Sequence, residues 1–203
     1  MAIKDNGTIN TWTFEKNDNE TYEEGFIRKY WAPYIKIIKN CGSSPENDCA
    51  YDVLALNGKP FTFFATDANS DFSRIYLANG AAISVYVSRN NTTGEPASAN
   101  FLIDTNGWKK PNKVGIDIFP FMYNPNSTNE KRKFMFGFPS YGDARLNITD
   151  AYGGCDKTLE NRRTGIYCLS LIYKNGWKIP TVDEYVKTAG GDESYRAKYP
   201  WNF

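Results

Sequence analysis

The chain has 203 residues, 41% of them hydrophobic, enough to build the core of one compact domain. Its 24 Lys and Arg nearly cancel its 23 Asp and Glu, so no net field draws it to nucleic acid or to an anionic surface, and a nucleic-acid partner is not expected. It contains no histidine, which excludes Ser-His-Asp and Cys-His nucleophilic catalysis, imidazole general bases and most zinc sites.

Taken in order, residues 1–20 are rich in Asn, Asp and Thr, with only Ile3, Ile9, Trp12 and Phe14 to anchor them, and read as an irregular lead-in. The start, Met1-Ala2-Ile3-Lys4-Asp5, lacks the charged-then-apolar layout of a secretory signal. A helix is expected over residues 21–40. Thr21 and Glu24 make a capping-box pattern, and Phe26, Ile27, Tyr30, Trp31, Tyr34, Ile35 and Ile38 follow at helical spacing. Pro33 lies inside that pattern and predicts a kink, or two short helices meeting, near Ala32.

Residues 50–203 form the sheet region. Strands are expected at 61–65, 74–76, 82–88, 100–104, 116–123, 133–138 and 168–173, where aromatic and β-branched residues run together between turn signals. Asn79-Gly80, Asn106-Gly107 and Asn175-Gly176 supply tight turns and imply antiparallel neighbours. Thr181 and Glu184 make a second capping box, opening a short helix through Lys187 that Gly190 or Gly191 would stop. The fold class is therefore α+β, a single domain in which an N-terminal amphipathic helix covers an antiparallel sheet.

Four cysteines stand in two close pairs, Cys41 with Cys49 and Cys155 with Cys168, each bracketing a polar loop. Local disulfides across such loops would stabilise by about 2 to 3 kcal/mol each, and the spacings do not suit zinc or iron-sulfur ligation. Disulfides persist outside the reducing cytosol, so the expected location is periplasmic or at the cell surface. An export or anchoring segment ahead of Met1-Ala2 is then expected to have been removed. Six Asn-x-Ser/Thr sequons begin at Asn6, Asn19, Asn90, Asn91, Asn126 and Asn147, a number that abundant asparagine produces by chance.

Three features together resemble the soluble head of bacterial type IV pilins and of the pseudopilins of type II secretion. They are the helix ending in Tyr30-Trp31-Ala32-Pro33-Tyr34-Ile35-Lys36-Ile37-Ile38-Lys39-Asn40-Cys41, the segment Leu77-Ala78-Asn79-Gly80 leading to Phe101-Leu102-Ile103-Asp104-Thr105-Asn106-Gly107 and then Lys110-Pro111-Asn112-Lys113-Val114-Gly115-Ile116-Asp117-Ile118-Phe119, and the pair Cys155 and Cys168 followed by Asn175-Gly176-Trp177-Lys178-Ile179. The resemblance implies a non-catalytic structural subunit of a bacterial filament. Its partners would be other copies of itself or related pilins, and the inner membrane through a preceding apolar helix that this sequence does not contain. The alternative is a secreted or surface carbohydrate-binding, adhesive module.

The chemistry-bearing patterns are few. Asp104-x-Asn106-Gly107, with Asp117 further on, alternates oxygen side chains before a glycine as a calcium loop does, although an EF-hand would want an oxygen donor where Trp108 stands and a Glu where Gly115 stands. Asp104, Asn106 and Asp117 are thus calcium candidates, with a side-chain-capped hairpin turn as the other reading. Asp67, Asn69 and Asp71 alternate in the same way. No spacing singles out a carboxylate pair for glycoside hydrolysis, and no catalytic residue is named. Trp108, Trp177, Trp201 and the tyrosines, if exposed, could stack on sugar rings; the other reading is that they pack the sheet against the helix or lie in subunit contacts. Lys109, Lys110 and Lys113, with Lys131, Arg132 and Lys133, form two basic clusters that are either solvated or face a neighbouring subunit.

Overall fold

The computed structural model describes residues 12–42, 49, 52–61, 72–107, 109–129, 133–137 and 145–202. The chain, expected as a single domain, forms two compact units interleaved along the sequence: Met1–Ala50, Phe64–Gly107 and Met122–Met135 in the first, Tyr51–Phe63, Trp108–Phe121 and Phe136–Phe203 in the second. The described elements are α1 (Tyr22–Tyr30), β1 (Ile37–Gly42), β2 (Phe72–Leu77), β3 (Ala82–Arg89), β4 (Pro96–Asp104), β5 (Ile118–Tyr123), β6 (Phe134–Phe136), α2 (Leu146–Thr149), α3 (Cys168–Lys174), α4 (Val182–Thr188) and a 3-10 helix (Glu193–Lys198). The strands form one antiparallel sheet in the order β1 to β6, so the α+β class and the antiparallel expectation hold, while of the three expected Asn-Gly turns Asn79-Gly80 joins neighbouring strands in a short hairpin and Asn106-Gly107 opens a longer connection to β5.

In the first unit, β1 to β4 make a meander. Asn79-Gly80 closes the β2–β3 hairpin as expected, with the Leu77 amide donating to the Ala81 carbonyl at 2.9 Å. The β3–β4 register pairs Val85 with Phe101 and Val87 with Ala99, which sets an apolar face beneath α1. Phe26 of α1, 1% exposed, lies 5.6 Å from the Phe101 ring, and Trp31 lies 5.0 Å from it. Thr21 caps α1 in a full capping box with Glu24, as its sequence implies.

The expected helix over 21–40 is shorter than its apolar pattern. It stops at Tyr30. Pro33 has no amide to donate and biases Ala32 away from helical angles, so the chain tightens into a turn in which the Tyr34 and Ile35 amides both bond Trp31 O. Residues 37–42 then alternate as a strand, Ile38 outward at 59% exposure and Cys41 inward at 4%. Ile37 and Ile38 suit a pleated strand better than a helix, and the sheet supplies β2 as the partner of the strand they open.

The lead-in is not a free approach to α1. Residues 12–16 return along the helix: the Trp12 ring stacks on Tyr30 at 4.4 Å and 8°, the Thr13 amide donates to the Tyr30 hydroxyl at 2.7 Å, and Lys29 pairs with Glu15 at 2.8 Å. The strap passes so near the helix that a Cβ on Gly25 would strike the Glu15 carbonyl. Gly25→Ala is therefore expected to lift the strap and to cost about 2 kcal/mol, read as a lower denaturant midpoint.

The second unit is mostly helical around one core. Leu56, Ile148, Leu171, Ile172, Tyr185, Tyr199 and Trp201 pack together over the Cys155–Cys168 disulfide. Residues 52–61 join that core through the Leu56 amide to Thr164 O at 3.0 Å, and through Asn57 Nδ2, which donates to Leu159 O at 2.6 Å and Asn161 O at 2.8 Å. The Tyr185 hydroxyl donates to Cys155 O at 2.7 Å, and α4 begins at the Thr181 capping box as expected.

Two sequence expectations fail here. Residues 168–173, expected as a strand, are α3, in which Cys168 through Ile172 are all buried; an apolar run buried on every side has no periodicity to tell strand from helix. Asn175-Gly176, expected as a hairpin turn, instead ends α3. The Gly176 amide donates to Tyr173 O at 3.1 Å and the Trp177 amide to Ile172 O at 2.9 Å, with Gly176 at φ 67°, a Schellman stop. Of the remaining expected strands, 74–76 and 82–88 match β2 and β3. β4 begins earlier than expected, at Pro96, while 116–123 and 133–138 shorten to β5 and β6. Of 61–65, only Phe61 is among the described residues.

Candidate functional site

Both expected cysteine pairs are joined, Cys41 to Cys49 and Cys155 to Cys168, and no cysteine is free. The protein therefore matures in an oxidising compartment, outside the reducing cytosol. No helix among the described residues is long and apolar enough to cross a membrane.

The oxygen-rich loop after β4 is a capped turn. Asp104, 1% exposed, accepts the amides of Asn106 at 3.0 Å and Gly107 at 2.8 Å through Oδ1, the Asx geometry that a carboxylate two residues before a turn adopts. Asp117, in the second unit, accepts Asn112 N at 2.9 Å through Oδ2 and Lys113 N at 2.6 Å through Oδ1. Among the described residues no group of three or more Cys, Asp or Glu side chains could hold a metal ion. Asp67, Asn69 and Asp71 lie outside the described residues.

The two other buried acids work in the same way. Glu23, 1% exposed, accepts the Val87 amide at 2.7 Å through Oε1 and so ties α1 to β3. Asp156, 2% exposed, accepts the amide of Thr158 at 2.8 Å and its hydroxyl at 2.6 Å, holding the start of the disulfide-closed loop. The buried tyrosines are shifted in the opposite sense to catalytic acids near neutrality. Burial pushes Tyr123, whose hydroxyl donates to Trp12 O at 2.8 Å, up to about 12. Burial and the nearby Asp150 charge push Tyr167 up to about 12. Unfolded phenols ionise near pH 10, so between about pH 10 and 12 the unfolded chain loses protons that the folded chain keeps. The share of stability that these two phenols carry is expected to be constant below pH 10 and to be lost across that window. Tyr123→Phe should flatten part of the fall in denaturant titrations run at successive pH values.

A cluster of rings in the second unit faces outward. Trp177 is 57% exposed and Tyr173 49%. Their rings stand 5.4 Å apart at 75°, and Phe136 lies stacked on Tyr173 at 4.6 Å and edge-on to Trp177 at 5.2 Å. Trp177 itself sits at φ 64°, in the left-handed region, where a bulky residue costs about 1 to 3 kcal/mol. The sequence singles out Trp177 but misses Tyr173 as its neighbour, because a strand over 168–173 gives the wrong geometry. Trp201 takes the packing alternative: it is 4% exposed in the core, its indole N–H donating to Gly115 O at 2.9 Å. Trp108 is outside the described residues.

Of the basic clusters, Lys109 and Lys110 are exposed and Lys113 and Lys133 half-buried, while Lys131 and Arg132 lie outside the described residues. Asn147 of the last sequon is fully buried, so it is no acceptor in the folded chain. A cleft of about 110 Å³, lined among others by Leu171, Lys174, Glu184 and Tyr185, opens beside α4, below the range of small-molecule pockets. Its acid, Glu184, is engaged in the capping box, and the Thr181 amide and hydroxyl hold its carboxyl below the usual range.

No curated protein and no solved structure matches the chain. Residues 1–185 match the model of a family described as a family of unknown function, DUF6613, and to that family the chain belongs.

Proposed function

We propose that this protein is the head of a non-catalytic filament subunit of the pilin or pseudopilin kind, working by assembly with copies of itself or related subunits. One observation supports the reading most: each of the four described buried acids, Glu23, Asp104, Asp117 and Asp156, accepts main-chain amides. Buried charge is devoted to fixing loops and elements, which is the need of a rigid building block. The helix-covered meander and the disulfide-closed loop near the C-terminal end are in keeping with it.

The strap adds a condition to this reading. The capping box at Thr21 closes the N-terminus of α1, and Trp12 stacks at its far end on Tyr30. An apolar anchoring helix would enter near Trp12 and would not be a straight extension of α1. The test is the complete gene. The reading requires about 20 consecutive apolar residues encoded upstream of Met1; a cleavable secretory signal there instead would overturn it.

A further inference from the structure

We infer that Asn79 is a site of spontaneous covalent modification, at which the side-chain amide closes on the Gly80 nitrogen and is converted to aspartate and isoaspartate. The Gly80 amide gives up its proton, and its nitrogen attacks Asn79 Cγ to form the new C–N bond of a cyclic imide. The Cγ–Nδ2 bond breaks, and Nδ2 takes up a proton and departs as ammonia. Water then opens the imide. Cleavage at the former side-chain carbonyl gives aspartate; cleavage at the main-chain carbonyl gives isoaspartate, in which the chain runs through Cγ and is longer by a methylene.

A glycine after the asparagine favours the attack, because no Cβ crowds the nitrogen. The described Asn-Gly pairs are Asn57-Gly58, Asn79-Gly80, Asn106-Gly107 and Asn175-Gly176, while Asn6-Gly7 lies outside the described residues. The fold separates them by what holds the nitrogen that must leave. Asn57 Nδ2 donates to Leu159 O at 2.6 Å and to Asn161 O at 2.8 Å. Both bonds must break before ammonia can form, which slows the reaction roughly tenfold or more. Asn175 Nδ2 donates to Lys178 O at 3.2 Å, and its side chain also bonds Glu184. At the half-buried Asn106 the obstacle is the attacking nitrogen: the Gly107 amide donates to the Asp104 carboxylate at 2.8 Å, and that negative charge opposes its ionisation.

Asn79 meets none of these obstacles. Ala78, Asn79 and Gly80 are all exposed, and Asn79 Nδ2 makes no hydrogen bond among the described residues. The Ala81 amide donates to Asn79 Oδ1 at 3.1 Å, which draws electrons from Cγ and makes it the better electrophile. The Gly80 amide donates to Leu77 O at 3.0 Å, but Gly58 and Gly176 make the same kind of bond, to Ala55 O at 2.9 Å and Tyr173 O at 3.1 Å, so this does not set the order. The longer isoaspartate chain has little room: a Cβ on Gly107 would stand 2.5 Å from the Gly80 carbonyl oxygen, so the hairpin tip already packs against the start of the connection after β4.

Incubation of the folded 203-residue chain in warm, mildly alkaline buffer, then acidic digestion and mass spectrometry of each Asn-Gly peptide, tests this. The Asn79 peptide is expected to convert first, to a pair of aspartate and isoaspartate products, with the Asn57 and Asn175 peptides at least about tenfold slower. In urea the three peptides are expected to convert at similar rates, since the bonds that separate them are gone. Asn79 remaining intact, or Asn57 or Asn175 converting as fast as Asn79 in the folded chain, would overturn the proposal. So would an undiminished lead for Asn79 in urea, because local sequence and not the fold would then set the order. The reaction takes place in the isolated chain, so its outcome is separate from that of the assembly reading.

Discussion

Replacing Cys155 and Cys168 together by alanine is expected to destabilise the second unit by about 3 to 5 kcal/mol. The residues are 13 apart in sequence, and closing a loop of that size removes about 3 kcal/mol of unfolded-chain entropy. Both sulfurs are completely buried in the core with Leu171, Ile172 and Tyr185, so shortening two side chains there adds a packing loss. The polar stretch between them would also lose its tether. Asp156 and the Tyr185 hydroxyl, which hold the Asp156–Thr158 turn and the Cys155 carbonyl, and the bonds from Leu56 and Asn57 to the same stretch would remain without the covalent link. Denaturant unfolding of the oxidised and double-alanine proteins measures the difference. The Cys41–Cys49 pair, 8 apart in sequence, closes a shorter loop and should cost less, about 2.5 kcal/mol by the same reasoning. Equal losses for the two pairs would mean that the core around Cys155 contributes nothing beyond the cross-link.

Trp201→Ala is the second large effect, about 3 to 5 kcal/mol. The indole is 4% exposed, stands 5.5 Å edge-on to Tyr199 and 6.5 Å from Tyr185, and donates to Gly115 O at 2.9 Å. Truncation opens a cavity and leaves the Gly115 carbonyl, 2.9 Å from the indole nitrogen, without that donor. Trp177→Gly at the exposed cluster is the informative contrast: relief of strain offsets the lost ring contacts, and the change is expected to stay within about 1 kcal/mol. Far-UV circular dichroism through a urea gradient reads both variants without relying on tryptophan emission.

The parts of this fold legible in the sequence are those fixed by neighbouring residues. The capping boxes at Thr21 and Thr181 need only a hydroxyl and a Glu three residues on, and both form. The Asn79-Gly80 hairpin and the two cysteine pairs are local in the same sense. What was not legible depended on partners far away in the chain. Ile35 and Ile38 fit a helical stripe on paper, yet Pro33 ends the helix before them and β2 pairs with the strand that starts at Ile37. Residues 168–173 are helical because Leu56, Tyr185 and Trp201 surround them, contacts that no local pattern encodes. The same division runs through the candidate site. Asp104 and Asn106 were readable as a turn or an ion loop, and only the two amide bonds to Asp104 show the turn. Trp177 was readable as a ring of interest, but its left-handed backbone follows from the end of α3, which the sequence pattern read as a strand.

Immunogold electron microscopy of the source cells, with antibody raised against this domain, tests the assembly reading most directly. The account predicts gold in rows along filaments at the cell surface or across the envelope. Protein recovered only as a free monomer in the medium, with every filament unlabelled, would contradict it.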